Sequence, residues 1–146
     1  MSGWWFAAGC VALIVAILLI LSLVGNRRGR EQARALAERR ASPSHEQFVA
    51  SLAADCDADI AEFLWEELTP EWAYWHAALT PHPDDDVLKD LPTDDEDPHY
   101  WLENYCDSRG LDWKRWRPWD MDQPTTVRNF ARWLSEGRPS PAEIAA

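Results

Sequence analysis

Four consecutive acids, Asp94, Asp95, Glu96 and Asp97, stand immediately before a stretch with helical spacing. Carboxylates placed there can cap a helix, hold a cation or offer a negative surface to a basic partner. Asp97 followed by Pro98 predicts an N-cap with proline in the first helical position. The helix dipole favours negative charge at that end by about 0.3–1 kcal/mol per exposed group. Capping accounts for Asp97 but not for Asp94, Asp95 and Glu96, which lie beyond the cap and repel one another. Recognition of a partner is the expected role of that surplus.

Other chemistry finds less support. Asp84, Asp85, Asp86 and the acids Asp94 to Asp97 supply oxygen ligands, and His76, His82 and His99 supply nitrogens, but none falls into HExxH or EF-hand spacing. The Asp84 to Asp86 run therefore reads as a solvated loop, and no metal site is expected. Ser, His and Asp are present without a GxSxG elbow, and no glycine-rich phosphate loop occurs. Paired carboxylates mean little in a chain with 25 acids. The expectation is a non-catalytic protein without a cofactor. Cys10, Cys56 and Cys106 lack CxxC or zinc-site spacing, and Cys56 and Cys106 read as small buried apolar residues.

Three tryptophans, Trp113, Trp116 and Trp119, recur every third residue with Lys114, Arg115 and Arg117 between them. They read either as a cover for a small core, with cation–π contacts from the flanking bases, or as an exposed platform. The cover is the favoured reading. Trp116 is retained as a candidate partner contact.

The elements that must position these residues are helical. Arg27 to Ala41 has helix-forming composition and predicts a polar stalk. Ser44 with Gln47 forms a capping box, opening a helix expected to end near Leu68 and to be interrupted at "DCDAD". Pro70 then opens a short helix that Pro81 and Pro83 end. Trp101, Leu102, Tyr105 and Cys106 form the apolar stripe of the next helix, stopped at Gly110. Thr125 or Thr126 caps the last, whose stripe is Val127, Phe130, Ala131 and Leu134, with Gly137 as its stop. No alternating strand pattern appears. The fold class is all-α: an N-terminal transmembrane helix (1–26), a basic juxtamembrane stalk (27–44), an acidic helical bundle (45–137) and a flexible tail (138–146).

From Trp4 to Val24 the chain has no charged side chain. Its length as a helix, roughly 31 Å, matches a bilayer core. A cleaved signal peptide is disfavoured because no basic residue precedes the run and no small-x-small cleavage site precedes "GNRRGR". Trp4 and Trp5 suit one interface, and Arg27, Arg28 and Arg30 the headgroups of the other. Since the arginines follow the span, the positive-inside rule keeps the C-terminal domain cytoplasmic. Residues 27–44 carry a net charge of +4 and residues 45–146 a net charge of −15. Phosphate backbones repel such a domain, so no nucleic-acid ligand is expected and a basic protein surface is.

The order of parts also resembles a known family. A long first helix, a loop ending in "DVLKDL", a turn into "TDDEDPHYWLENYCDSRGL", a short third segment and a final "TTVRNFARWL" resemble the acyl carrier proteins. More closely they resemble an uncharacterised bacterial family with an acyl-carrier-like fold that lacks the attachment serine. The likeness spans roughly residues 57 to 137. It implies an acyl-carrier-like helical bundle and a bacterial source, and the N-terminal anchor, which lies outside it, then gives a bacterial inner-membrane location. In carriers the motif before the second helix is Asp-Ser-Leu; here Asp94, Asp95 and Glu96 fill those places, and a carboxylate cannot carry a phosphopantetheine arm. The likeness also implies recognition of basic surfaces by Asp94, Asp95, Glu103 and Asp107.

The resulting expectation is a single-pass, membrane-tethered interaction module. Its acidic docking face comprises Asp94, Asp95, Glu96, Asp97, Glu103 and Asp107, with Trp116 beside it, and its partner is a basic protein at the membrane. Alternatives are an immunity or inhibitor protein that neutralises a basic effector, and an accessory carrier-type subunit in lipid or peptide synthesis.

Overall fold

The computed structural model describes residues 3–93 and 96–138, with the side chains of residues 3–6 left out. Over those residues the chain is all-helical: α1 (Gly3–Arg39), α2 (His45–Leu52), α3 (Ala58–Trp75), α4 (Asp97–Asp107) and α5 (Val127–Gly137), with a short 3₁₀ turn at Trp113–Arg115.

α1 is one unbroken helix of 37 residues. Its apolar part is long enough to cross a membrane and none of it is buried in protein. Leu13, Leu18 and Leu23 are each about 60% exposed or more, which in water would be a heavy cost. The second half of α1 extends the apolar helix as expected of the stalk, but it is not polar all round. Gly29, Ala33 and Leu36 are buried, with Ala37 and Arg40 partly so, which makes a stripe along one side of the helix. This stripe packs on the bundle, and Ala33 and Leu36 belong to its core. The boundary placed at residue 44 therefore cuts through a packed seam. A Cβ at Gly29 would lie 2.4 Å from the Trp75 ring and 2.7 Å from Pro92 Cγ, so only glycine allows this approach.

α2 begins with the expected capping box: Gln47 N–H donates to Ser44 Oγ, and Ser44 N–H donates to Gln47 Oε1. The anticipated interruption at "DCDAD" is a full break, and α3 starts at Ala58. α3 does not end near Leu68. It runs through Pro70 to Trp75. Proline removes one backbone donor and normally kinks or breaks a helix. Here Leu68 and Trp72, on either side of it, are 1% and 0% exposed, and tertiary packing holds the continuation. The separate short helix expected after Pro70 is therefore the last part of α3.

The segment between α3 and α4 is long but anchored. Leu79, Val87 and Leu91 are buried. Asp86 and Thr126 form an antiparallel bridge, with Val87 N–H donating to Thr125 O and Val127 N–H to Asp85 O. Asp85 corrects the solvated-loop reading most clearly. It is 2% exposed, and its carboxylate accepts from Arg40 Nε at 2.7 Å, from Trp72 Nε1 at 3.0 Å and from the His82 N–H at 3.0 Å. Arg40 also donates to Thr80 O. One carboxylate thus joins the end of α1, α3 and the loop. Asp86 accepts from Thr125 Oγ1, and Asp84 pairs with Arg128.

α5 is capped by Thr126, whose side chain accepts from Asn129 N–H, and buries Val127, Phe130, Ala131, Leu134 and Gly137. Gly137 is the last helical residue, and packing requires glycine there, since a Cβ would lie 2.4 Å from the Trp116 indole. Asp55, in the α2–α3 turn, accepts from Arg132 Nε at 2.7 Å and from Arg128 Nη1. Burial alone would raise its pKa, but these arginines outweigh burial and hold it below the usual carboxylate range.

Candidate functional site

α4 presents its acids because its other side is fixed. Trp101, Leu102, Tyr105 and Cys106 are buried. At its end Gly110 takes φ +64°, Leu111 N–H donates to Cys106 O and Gly110 N–H to Asp107 O, the bonds of a glycine helix stop. Arg109 stacks on the Tyr105 ring at 4.0 Å and pairs with Asp59 of α3 at 3.3 Å. Asn104 Nδ2 donates to Glu67 Oε1 at 2.8 Å, a second tie to α3. With this edge turned inward, Glu96, Glu103 and Asp107, spaced by seven and four residues, share the outer side. Glu96 and Asp107 are exposed, and Glu103 is half-buried and 3.4 Å from His99.

The helix begins at Asp97, so the cap position falls on Glu96 and not on Asp97 as the sequence implied. Asp97 is half-buried. Asp94 and Asp95 lie outside the described residues, as do the side chains of Trp4 and Trp5 and residues 139–146. Arg27, Arg28 and Arg30 are exposed on α1, and Arg27 pairs with Glu31 at 3.1 Å.

Two acids of α3 lie against α4 and were missed by the sequence reading: Glu67, which accepts from Asn104, and Glu71, which feels the charge of Asp97. Burial, then the charges of Asp97 and Glu67, push the Glu71 pKa from the ordinary 4.5 up to about 7. The spacing of Glu67 and Glu71 shows that they share a side of α3. It could not show which helix they meet.

A raised carboxyl pKa favours folding only while the group is protonated, so its contribution fades as pH climbs from 4.5 through about 7. The Glu71→Gln variant should therefore lose less thermal stability than wild type between about pH 5 and about pH 8.5. Melting curves of the full chain in lipid nanodiscs at those two pH values test this. Equal losses in both proteins would count against the buried acid. Asp55 acts in the opposite window, since its lowered pKa gives stability that is lost only as pH falls through the acid range.

Trp116 needs correction as a partner contact. It is 6% exposed, edge-on to Tyr105 with ring centroids 5.9 Å apart and seated against Gly137. Trp113 and Trp119 are half-buried, and Lys114 lies 5.6 Å from the centre of the Trp113 ring. The indoles cover core, and they also wall an open, mainly apolar cleft of about 470 Å³. Leu88, Leu102, Trp113, Phe130 and Trp133 line it, with Pro98 and His99 from the first turn of α4. Sequence spacing indicated the tryptophans, but the cleft depends on how α4 and α5 meet.

Among the described residues no three His, Cys, Asp or Glu side chains gather as a metal-ligand set. Burial pushes the Cys56 and Cys106 thiols up to about 11, with nearby aspartates adding to the shift, so both stay protonated and weakly nucleophilic near neutral pH. No family model, curated protein or solved structure matches this chain.

Proposed function

We propose that the protein is a single-pass, membrane-tethered and non-catalytic interaction module with an acyl-carrier-like bundle, held on the cytoplasmic side of a bacterial inner membrane, and that α4 receives a basic protein partner. One observation carries this reading: the same helix bears Glu96, Glu103 and Asp107 on its outer side and lines the apolar cleft through Pro98, His99 and Leu102. A partner segment with cationic residues beside one apolar anchor would find both complements within a few turns of helix. Complementary charge would speed encounter and reject wrong partners, while the anchor would supply desolvation. Tethering would raise the local concentration at the membrane. The bilayer would hold the module through α1, and the net charge of −15 over residues 45–146 disfavours nucleic acid as a ligand.

The test uses the full chain in nanodiscs as bait at rising salt. A specific partner should be released as salt increases and should bind far less to a Glu96→Ala, Glu103→Ala, Asp107→Ala variant. A partner retained equally by that variant would remove α4 as the docking face.

A further inference from the structure

The contacts between α1 and the bundle fix the height of the domain above the bilayer. The last strongly apolar residue of α1 is Val24, and the bundle already touches the helix at Gly29, through Trp75 and Pro92. Five residues of helix rise only about 8 Å. A headgroup layer is about 5–8 Å thick on each side of the hydrocarbon. The bundle therefore has no stand-off from the membrane. The second anchoring point sets its direction: Arg40, eleven positions further on and just past the end of α1, meets Asp85 and, through it, Trp72. Trp75 lies at the near level and the Trp72 indole N–H at the far one, so the C-terminal end of α3 points at the bilayer.

That end is chemically distinct from the rest of the domain. From Ala73 to Leu79 there is no carboxylate, in a region otherwise dense with acids, before Thr80 returns the chain to the far level by accepting from Arg40 and donating to Pro43 O. Tyr74 is 65% exposed and stands edge-on to Trp75 with ring centroids 4.9 Å apart, and Ala73, Ala77 and Ala78 are exposed beside it. Around the same level α1 displays Arg27, Arg28, Arg30 and Arg34, all exposed. Amphipathic aromatic rings and arginines are the residues favoured at a membrane–water interface.

We infer that the C-terminal end of α3, with Tyr74 and Trp75 at its centre, is a second membrane contact seated in the lipid headgroup layer. The occupant of this surface is phospholipid headgroup, continuous with the lipid around α1. The seat also places the acids of α4 close to the membrane plane, because Pro92 leads into them from the level of Gly29 and Asp97 acts on Glu71, one helical turn before Trp75.

This inference rests on α1 spanning the bilayer, and the experiment separates the two claims. The full chain, with a photoreactive benzoylphenylalanine replacing Tyr74, is reconstituted into vesicles of phosphatidylethanolamine and phosphatidylglycerol. A matched variant carries the same group in place of Glu46, at the start of α2 beyond the far end of α1. Both are washed at alkaline pH, irradiated and weighed intact. Retention in the vesicles after washing supports the span, and release would defeat the span itself. Among retained protein, a phospholipid adduct at position 74 and none at position 46 is the expected result. Equal adduct at both positions, no adduct at position 74, or cross-linking at 74 to a second polypeptide would overturn the headgroup seat and leave the span standing.

Discussion

Replacing Asp85 with alanine should cost the folded domain about 3–5 kcal/mol, the usual penalty for removing one partner of a buried ion pair. Arg40 would remain with its side chain only 14% exposed, and the Trp72 indole and His82 amide would lose their shared acceptor. Total stability of a domain this size is about 5–15 kcal/mol, so the loss would be a large fraction of it. The pair as a whole need not stabilise so strongly, because taking both charges out of water is itself expensive. An Arg40→Met, Asp85→Leu double variant should therefore be more stable than Asp85→Ala alone. Chemical unfolding followed by intrinsic fluorescence, with the chain held in nanodiscs, reads both. Asp85→Ala within about 1 kcal/mol of wild type would mean that the carboxylate is not the junction its contacts describe.

Replacing Gly29 with leucine should force the bundle away from α1. The first added carbon already falls 2.4 Å from the Trp75 ring and 2.7 Å from Pro92, and neither is the free end of a flexible chain. Overpacking of this kind costs about 1–3 kcal/mol. The effect should be local to the seam, since Ala33 and Leu36 lie one and two turns further on. Trypsin provides the readout. Cleavage after Arg30 and Arg34 should accelerate in Gly29→Leu, while cleavage within the bundle changes less. Unaltered cleavage at both arginines would show that the seam does not close at this level.

These two sites also mark where the sequence was readable and where it was not. The Ser44 and Gln47 capping box, the Gly110 stop and the stripe of α5 were legible because each depends on residues within one or two turns. The long apolar run was legible because length and composition suffice. Pro70 misled because a local helix breaker was overridden by Leu68 and Trp72, whose burial is a tertiary fact. The stalk misled because arginines dominate its composition. The spacing of Gly29, Ala33, Leu36 and Ala37 did hold the signal of a packed stripe, and three of these are small residues that allow close approach. Asp85 could not be read from sequence: in a run of three aspartates, nothing distinguishes the one that turns inward to meet an arginine 45 positions earlier. The place of Glu103 and Asp107 on α4 followed from the sequence, whereas Glu71 required knowing which surface of α3 faces Asp97.

The unbroken course of α1 through Gly25 has a consequence for azimuth. On the proposed reading, in which α1 spans the bilayer and runs unbroken into the bundle, one residue inserted between Val24 and Gly29 would rotate the bundle by about 100° around the helix axis and raise it by only about 1.5 Å. Depth would hardly change, but the heading would. α4 would then confront a different sector of the lipid plane, so on that reading the compass bearing at which a neighbour in the membrane would meet its carboxylates depends on the four residues between Val24 and Gly29.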